Sequence, residues 1–157
     1  QLRLNGPKCV FAVTEIAYLG HVLTREGQKV DPTKIEAMVN FPQPTSTHLT
    51  RSFLGLTQYY KKFIEGYSKI ATPLNQLLRK DVKFEWNSEC EQSFLTLKQK
   101  LTTTPILKFI DLRKPLIITT DASMAAIGWV VSQISSDGRE HPCFYGGRSL
   151  NDTERNW

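Results

Sequence analysis

The 157 residues are 40% hydrophobic and 22% charged, the balance of a folded globular chain rather than a disordered one. No apolar run approaches the ~20 residues that a membrane span needs, and Cys9, Cys90 and Cys143 sit too far apart for a disulfide framework or CxxC zinc spacing. The formal net charge of +5 is concentrated in residues 1–80, which hold eleven Lys and Arg against five Asp and Glu, so contact with a polyanion is expected in the front half.

Gln1-Leu-Arg-Leu opens without an initiator methionine or signal peptide and reads as a cut made inside a longer protein. Val10 to Leu23 predicts a β-hairpin, with Val10-Phe-Ala-Val and Ile16-Ala-Tyr-Leu as β-prone runs and Gly20 at a bend or bulge. Asp31 as N-cap and Pro32 at N1 start a helix over Thr33–Asn40. Ser46 or Thr47 caps a long helix that is expected to end near Gly66. Its apolar stripe is Phe53, Leu56, Tyr60, Phe63 and Ile64.

Arg51, Gly55, Tyr59 and Lys62 fall on another face of that helix. Gly55 mid-helix costs about 1 kcal/mol relative to Ala, and it lets a ligand or another backbone come close. A cation, a gap, an aromatic ring and a lysine suit a nucleic-acid groove; helix-on-helix packing through Gly55 is the alternative. Ser68–Arg79 predicts a further helix past Pro73, with Leu74, Leu77 and Leu78 inward. Asn87-Ser88 caps another, in which Cys90, Phe94, Leu97 and Leu101 recur at helical spacing.

After Lys114-Pro115 the pattern turns to strands: Leu116–Asp121, Ala126–Gln133 and Glu140–Tyr145, joined by turn-forming segments. This predicts an antiparallel three-strand meander, with one face left unburied and therefore a truncated look. Asp121 ends the first strand at the sheet rim, where a divalent ion and a phosphate could both reach it. An Asp beside a turn is also commonly just a turn former. The other carboxylates of this half that come into question are Glu140, Asp152 and Glu154.

In order, Lys8-Cys-Val-Phe, Tyr18-Leu-Gly-His, Asp31-Pro, Arg51-Ser-Phe-Leu-Gly-Leu, Tyr59-Tyr, Phe63-Ile, Ile70-Ala-Thr-Pro-Leu, Phe84-Glu-Trp and Thr120-Asp-Ala-Ser resemble the Pol polyprotein of gypsy-type LTR retrotransposons. Departures are Ala126 for the usual Gly, Gly147 for Ser and Trp157 for Tyr. The resemblance implies an α+β chain in three parts. Residues 1–30 are the C-terminal end of the polymerase palm, 31–110 a small helical thumb and connection, and 114–157 the start of a ribonuclease H-like domain.

On the same ground, Tyr18, Leu19, Gly20 and His21 would form the primer grip, Arg51, Gly55 and Tyr59 would track the template–primer minor groove, and Asp121 would be the first metal-binding, catalytic aspartate of ribonuclease H. Partners would be an RNA–DNA hybrid or DNA/RNA template–primer and the remainder of the Pol polyprotein. Magnesium or manganese would serve the complete enzyme, with no ion firmly held by this fragment. The setting would be intracellular, in a cytoplasmic particle or the nucleus. Both catalytic carboxylate sets would be incomplete here. A decayed element's non-catalytic binding or interaction module is the alternative function.

Overall fold

The computed structural model describes Arg3 and residues 5–80, 82–151 and 153–156, so Asp152 and Trp157 lie outside the described residues. The first sheet has strands β1 (Glu15–Tyr18), β2 (His21–Thr24) and β3 (Gln28–Val30) in that order, all antiparallel. Tyr18 pairs with His21 across a two-residue turn in which Leu19 (φ 49°) and Gly20 (φ 73°) both adopt positive φ. Such a turn matches the right-handed twist of the flanking strands. The Val10–Val13 run expected to pair is not a strand, and Phe11 is 81% exposed. No ladder partner lies beside it, so β propensity alone does not order it as a strand.

Helix α1 (Pro32–Val39) begins as expected, with Asp31 accepting a hydrogen bond from the Thr33 amide at 2.9 Å. Helix α2 (Thr47–Tyr59) is capped by Ser46 and stops seven residues before Gly66. Tyr60 leaves the helical region, and Lys61–Phe63 form a 3-10 turn that keeps Phe63 and Ile64 pointed inward. The apolar periodicity survives this break, which hid it from the sequence pattern. The buried face of α2 is Thr50, Phe53, Leu54 and Thr57. Leu56 is 44% exposed and leaves the predicted stripe. Both threonines are satisfied locally: Thr50 donates to the Ser46 carbonyl at 2.9 Å and Thr57 to the Leu54 carbonyl at 3.2 Å.

The expected helix over 68–79 is two short ones, α3 (Tyr67–Ile70) and α4 (Thr72–Gln76), because Pro73 starts a new first turn. Leu74 and Leu77 are buried as predicted. Helix α5 (Ser88–Thr102) has Asn87 as its cap and buries Cys90, Phe94, Leu97 and Leu101. These helices and Val30 share one core with Phe53 at its centre, its ring 5.4 Å from Phe41 and 4.7 Å from Phe94.

The second sheet is the predicted meander: β4 (Ile117–Ala122), β5 (Ala126–Ile134) and β6 (Glu140–Ser149), antiparallel in that order. Its register places Asp121 opposite Gly128. The helices that precede the sheet cover part of it. Phe144 and Tyr145 of β6 pack on the helical core, and α3 lies against β5 and β6. Buried Gln133 holds the loop leading into β4, accepting from the Asp111 amide at 2.9 Å and donating to the Asp111 carbonyl at 2.9 Å.

One backbone bridge ties the first sheet to the segment entering the second. Gln28 and Leu107 exchange both amide–carbonyl bonds, at 2.8 and 2.9 Å. Gly27 sits beside the bridge at φ 145°, and a side chain there would run into the Leu107 carbonyl.

Candidate nucleic-acid interface

The tip of the β1–β2 hairpin rests on the C-terminal end of α2 through two tyrosine hydroxyls. Tyr59 donates to the Leu19 carbonyl at 2.6 Å, and Tyr60 donates to the Gly20 carbonyl at 3.0 Å. Leu in the left-handed region costs about 1–2 kcal/mol. Such strain persists only where surroundings over-determine the backbone, and the hydroxyl clasp is placed to do that. Glycine is required at position 20 on two counts. Its φ is positive, and a Cβ would stand 2.6 Å from the Tyr60 hydroxyl oxygen.

His21 follows directly and lies under the clasp. Its ring stacks on Tyr59 at 5.4 Å with an interplanar angle of 13° and meets Tyr60 edge-on at 5.4 Å. Its Nδ1 is buried without a hydrogen-bond partner among the described residues. Burial first, and the Lys62 charge second, push the His21 pKa below 6.5. The folded state therefore holds His21 neutral where the unfolded chain would take up a proton, so its contribution to stability is lost as the pH falls below about 6.5. His21→Phe keeps the ring stack and removes the titration. Thermal melts of this variant are expected to lose less stability than the parent between about pH 7 and pH 5. An equally steep acid limb in both proteins would assign that limb to other groups.

Beside the clasp runs a groove of about 590 Å³ between α1 and α2, lined by Leu19, Gly20, Lys34, Met38, Gly55 and Tyr59 among others. Gly55 faces open space, and a Cβ built there meets nothing within 4 Å. Among the described residues no helix packs through it. Arg51, Gly55 and Tyr59 are all exposed along this side of α2. The exposed hairpin residues Tyr18 (60%) and Leu19 (67%) continue the surface beyond the helix end.

Lys62 does not share that face. The helix has ended before it, and its ammonium donates to Gln28 Oε1 at 2.9 Å and lies 5.3 Å from the Phe63 ring centroid. Burial lowers the Lys62 pKa. Sequence periodicity misplaced Lys62 because it assumed helix through Gly66. Sequence reasoning also overlooked Tyr60, whose hydroxyl reaches across to the hairpin. The adjacent Tyr59-Tyr60 pair at a helix end, with a Gly in a tight turn upstream, was the available signal.

Asp121 is exposed at the end of β4 and borders two shallow clefts whose other walls include Glu65, Gly66 and Lys69 from the helical part. Of the other candidate carboxylates of this half, Glu140 and Glu154 are occupied elsewhere, and Asp152 lies outside the described residues. Glu140 pairs with Ile134 at the opposite end of β5 and accepts from Ser132 Oγ at 2.5 Å. That position is six residues, ~20 Å, along the strand from Gly128. Glu154 is gripped by Arg148 at 2.6 and 2.7 Å and accepts from the Asn151 amide, which holds its carboxyl down at about 2.

No group of three His, Cys, Asp or Glu side chains that could hold an ion gathers among the described residues. A two-ion site asks for several converging carboxylates, and Asp121 offers one. The donor set among the described residues does not by itself fit such a site. Nor is any helix among the described residues long and apolar enough to cross a membrane.

Comparison with known proteins places the chain in a family. The family described as "RNase H-like domain found in reverse transcriptase" matches residues 86–157, which takes in α5 and the second sheet. The chain is 41% identical to the retrovirus-related Pol polyprotein from transposon opus of Drosophila melanogaster, over 99% of this chain and 17% of that protein. Identity is also 41% to the Pol polyprotein from transposon 297 of the same fly, over 99% of this chain and 14% of that protein. An uncharacterized mitochondrial protein of Arabidopsis thaliana is 43% identical over 74% of this chain and 75% of its own length.

In fold, the chain is similar to the foamy viral protease-reverse transcriptase in complex with dsDNA, at TM-score 0.77 and 22% identity, covering 92% of this chain and 30% of that one. The same viral protein in complex with RNA/DNA hybrid matches at TM-score 0.74 and 22% identity, covering 90% and 19%. The chain spans less than a fifth of the length of the two fly Pol relatives. It belongs to the retrotransposon Pol polyprotein family, and its residues 86–157 match the RNase H-like domain found in reverse transcriptase.

Proposed function

We propose that this segment seats the template–primer duplex of a retrotransposon reverse transcriptase, with the hairpin tip and the outward side of α2 acting as one surface. The observation that carries the reading is the hydroxyl clasp, at 2.6 and 3.0 Å, beside the open groove at Gly55. It fixes the Leu19-Gly20 turn to the end of the helix that carries Arg51, Gly55 and Tyr59. A glycine gap lets a duplex backbone approach the helix, and the cation and the aromatic edge supply sequence-independent contact. Further support comes from the fold neighbours, whose viral protein is held with dsDNA in one case and RNA/DNA hybrid in another.

In the complete Pol protein the activity is RNA-directed DNA synthesis and cleavage of RNA–DNA hybrid. There Asp121 is one carboxylate of the ribonuclease H set, and magnesium or manganese is the cofactor. The remainder of Pol is the protein partner, and the setting is an intracellular particle or the nucleus. This chain alone is expected to be catalytically silent.

A second reading, a non-catalytic nucleic-acid-binding or interaction module, is favoured by one observation. The Arabidopsis relative is matched over 75% of its own length, so a protein of similar extent stands alone there.

The duplex seat is tested by fluorescence anisotropy of a labelled RNA–DNA hybrid against the 157-residue chain at several salt concentrations. Weak binding that falls steeply with salt is expected. Gly55→Leu fills the groove without touching the core and should weaken binding about tenfold or more at an unchanged melting temperature. Equal binding by parent and a folded Gly55→Leu variant would remove the groove from the interface.

A further inference from the structure

A second cleft, of about 410 Å³, opens beside the C-terminal end of α2, between the helical part and the end of β6. Four cations line it from separate parts of the chain: Lys61 from the 3-10 turn, Arg79 from beyond α4, Arg148 from β6 and Arg155 from the following turn. The rest of the wall is chiefly hydroxyl and amide groups, including Ser68 and Asn75, and among the described residues no carboxylate lines it. Like charges gathered around one concavity raise its potential and draw in an anion.

Glu154 offsets the Arg148 charge from outside the wall by two bonds, and Arg79 and Arg155 have interactions of their own. The Glu154 bonds, with one to the Ser149 carbonyl, engage Nη1 and Nη2 and leave the Arg148 Nε without a bond to Glu154. The Lys61 ammonium has no partner among the described residues. Gln58, which also lines the cleft, lies seven residues after Arg51. Seven residues are close to two helical turns, so Arg51 and Gln58 share one side of α2. A backbone passing Arg51 is thereby led toward the cleft.

We infer that this cleft is a seat for the sugar–phosphate backbone of nucleic acid, at the seam between the helices and the second sheet. This rests on the duplex-seating reading and extends the contact beyond the hairpin and groove. The cleft has too little apolar surface for a hydrophobic small molecule, and its volume is that of a ligand site rather than a packing defect. Phosphodiester oxygens match donors that come from three directions.

The test is the salt dependence of hybrid binding by the 157-residue chain. A Lys61→Gln, Arg148→Gln variant removes two cations, and the log–log salt slope should flatten by about 0.9 for each phosphate no longer neutralised. The double variant is expected to lose roughly 1.8 in slope and at least tenfold in affinity at low salt. Gln76→Glu, which puts an exposed carboxylate in the wall, gives an independent second variant and should weaken binding in the same direction. Lys83→Gln with Lys100→Gln, two exposed lysines elsewhere, should leave the slope within about 0.3 of the parent.

Parent-like slopes in folded cleft variants would overturn the inference. If Gly55→Leu still weakened binding, the duplex-seating reading would stand without it. Weakening by the cleft variants but not by Gly55→Leu would keep the cleft and remove the groove. Displacement of the hybrid by inorganic phosphate at constant ionic strength would mark a free-anion site and overturn the backbone assignment.

Discussion

Phe53→Ala is expected to destabilise the chain by about 3–5 kcal/mol, enough to unfold a domain of ordinary stability at room temperature. Phe53 is fully buried, and its ring contacts Phe41 and Phe94 at centroid distances of 5.4 and 4.7 Å. Phe94 in turn meets Trp86 edge-on at 5.8 Å and lies under the Lys98 ammonium at 4.3 Å. Truncation leaves a cavity bounded by aromatic rings that cannot all collapse inward, so the cost belongs at the upper end of the range. Urea denaturation should show a large fall in midpoint with little change in slope. The opposite side of the same helix carries Arg51, Gly55 and Tyr59, so hybrid binding is expected to fall with stability. A loss below about 1.5 kcal/mol would mean that α2 is not anchored through Phe53.

In the complete Pol protein, Asp121→Asn is expected to cut hybrid cleavage by roughly a hundredfold or more, the scale seen when one electrostatic stabiliser is removed from a transition state. Asn keeps the shape and the turn-forming capacity of Asp but not the charge. DNA synthesis by the same protein should be unchanged, since Asp121 stands in the second sheet, apart from the hairpin and groove. Cleavage at the parent rate would make Asp121 a turn residue beside Ser123, whose hydroxyl already organises that hairpin by accepting from the Ala125 and Ala126 amides.

Local features were legible in the chain itself. Asp31-Pro32, Ser46 and Asn87 marked helix starts through physics confined to four residues, and all three act as caps. The second sheet was readable because its strands alternate with turn-forming segments, whereas the register shift between Val131 and Ser132 has no signal in that pattern.

What stayed hidden depends on contacts between distant residues. The end of α2 at Tyr59 is where the chain meets the hairpin forty residues upstream, and no local pattern encodes that meeting. Lys62 was therefore assigned to the groove side, while its charge lies beside His21 and Gln28. The unstructured Val10–Val13 run has the same cause, since a strand needs a partner as well as propensity. The basic cleft draws its cations from residues 61 to 155, and only folding assembles it.

The central claim, that hairpin tip and helix side form one duplex seat, is tested most directly by mapping backbone amide shifts on titrating a short RNA–DNA hybrid into isotope-labelled protein. The account predicts progressive, salt-sensitive shifts at Leu19, Gly20, Arg51, Gly55 and Tyr59, with Leu112 and Met124 unmoved although both are highly exposed. Shifts confined to the second sheet, with the hairpin tip and α2 silent at saturating hybrid, would contradict it.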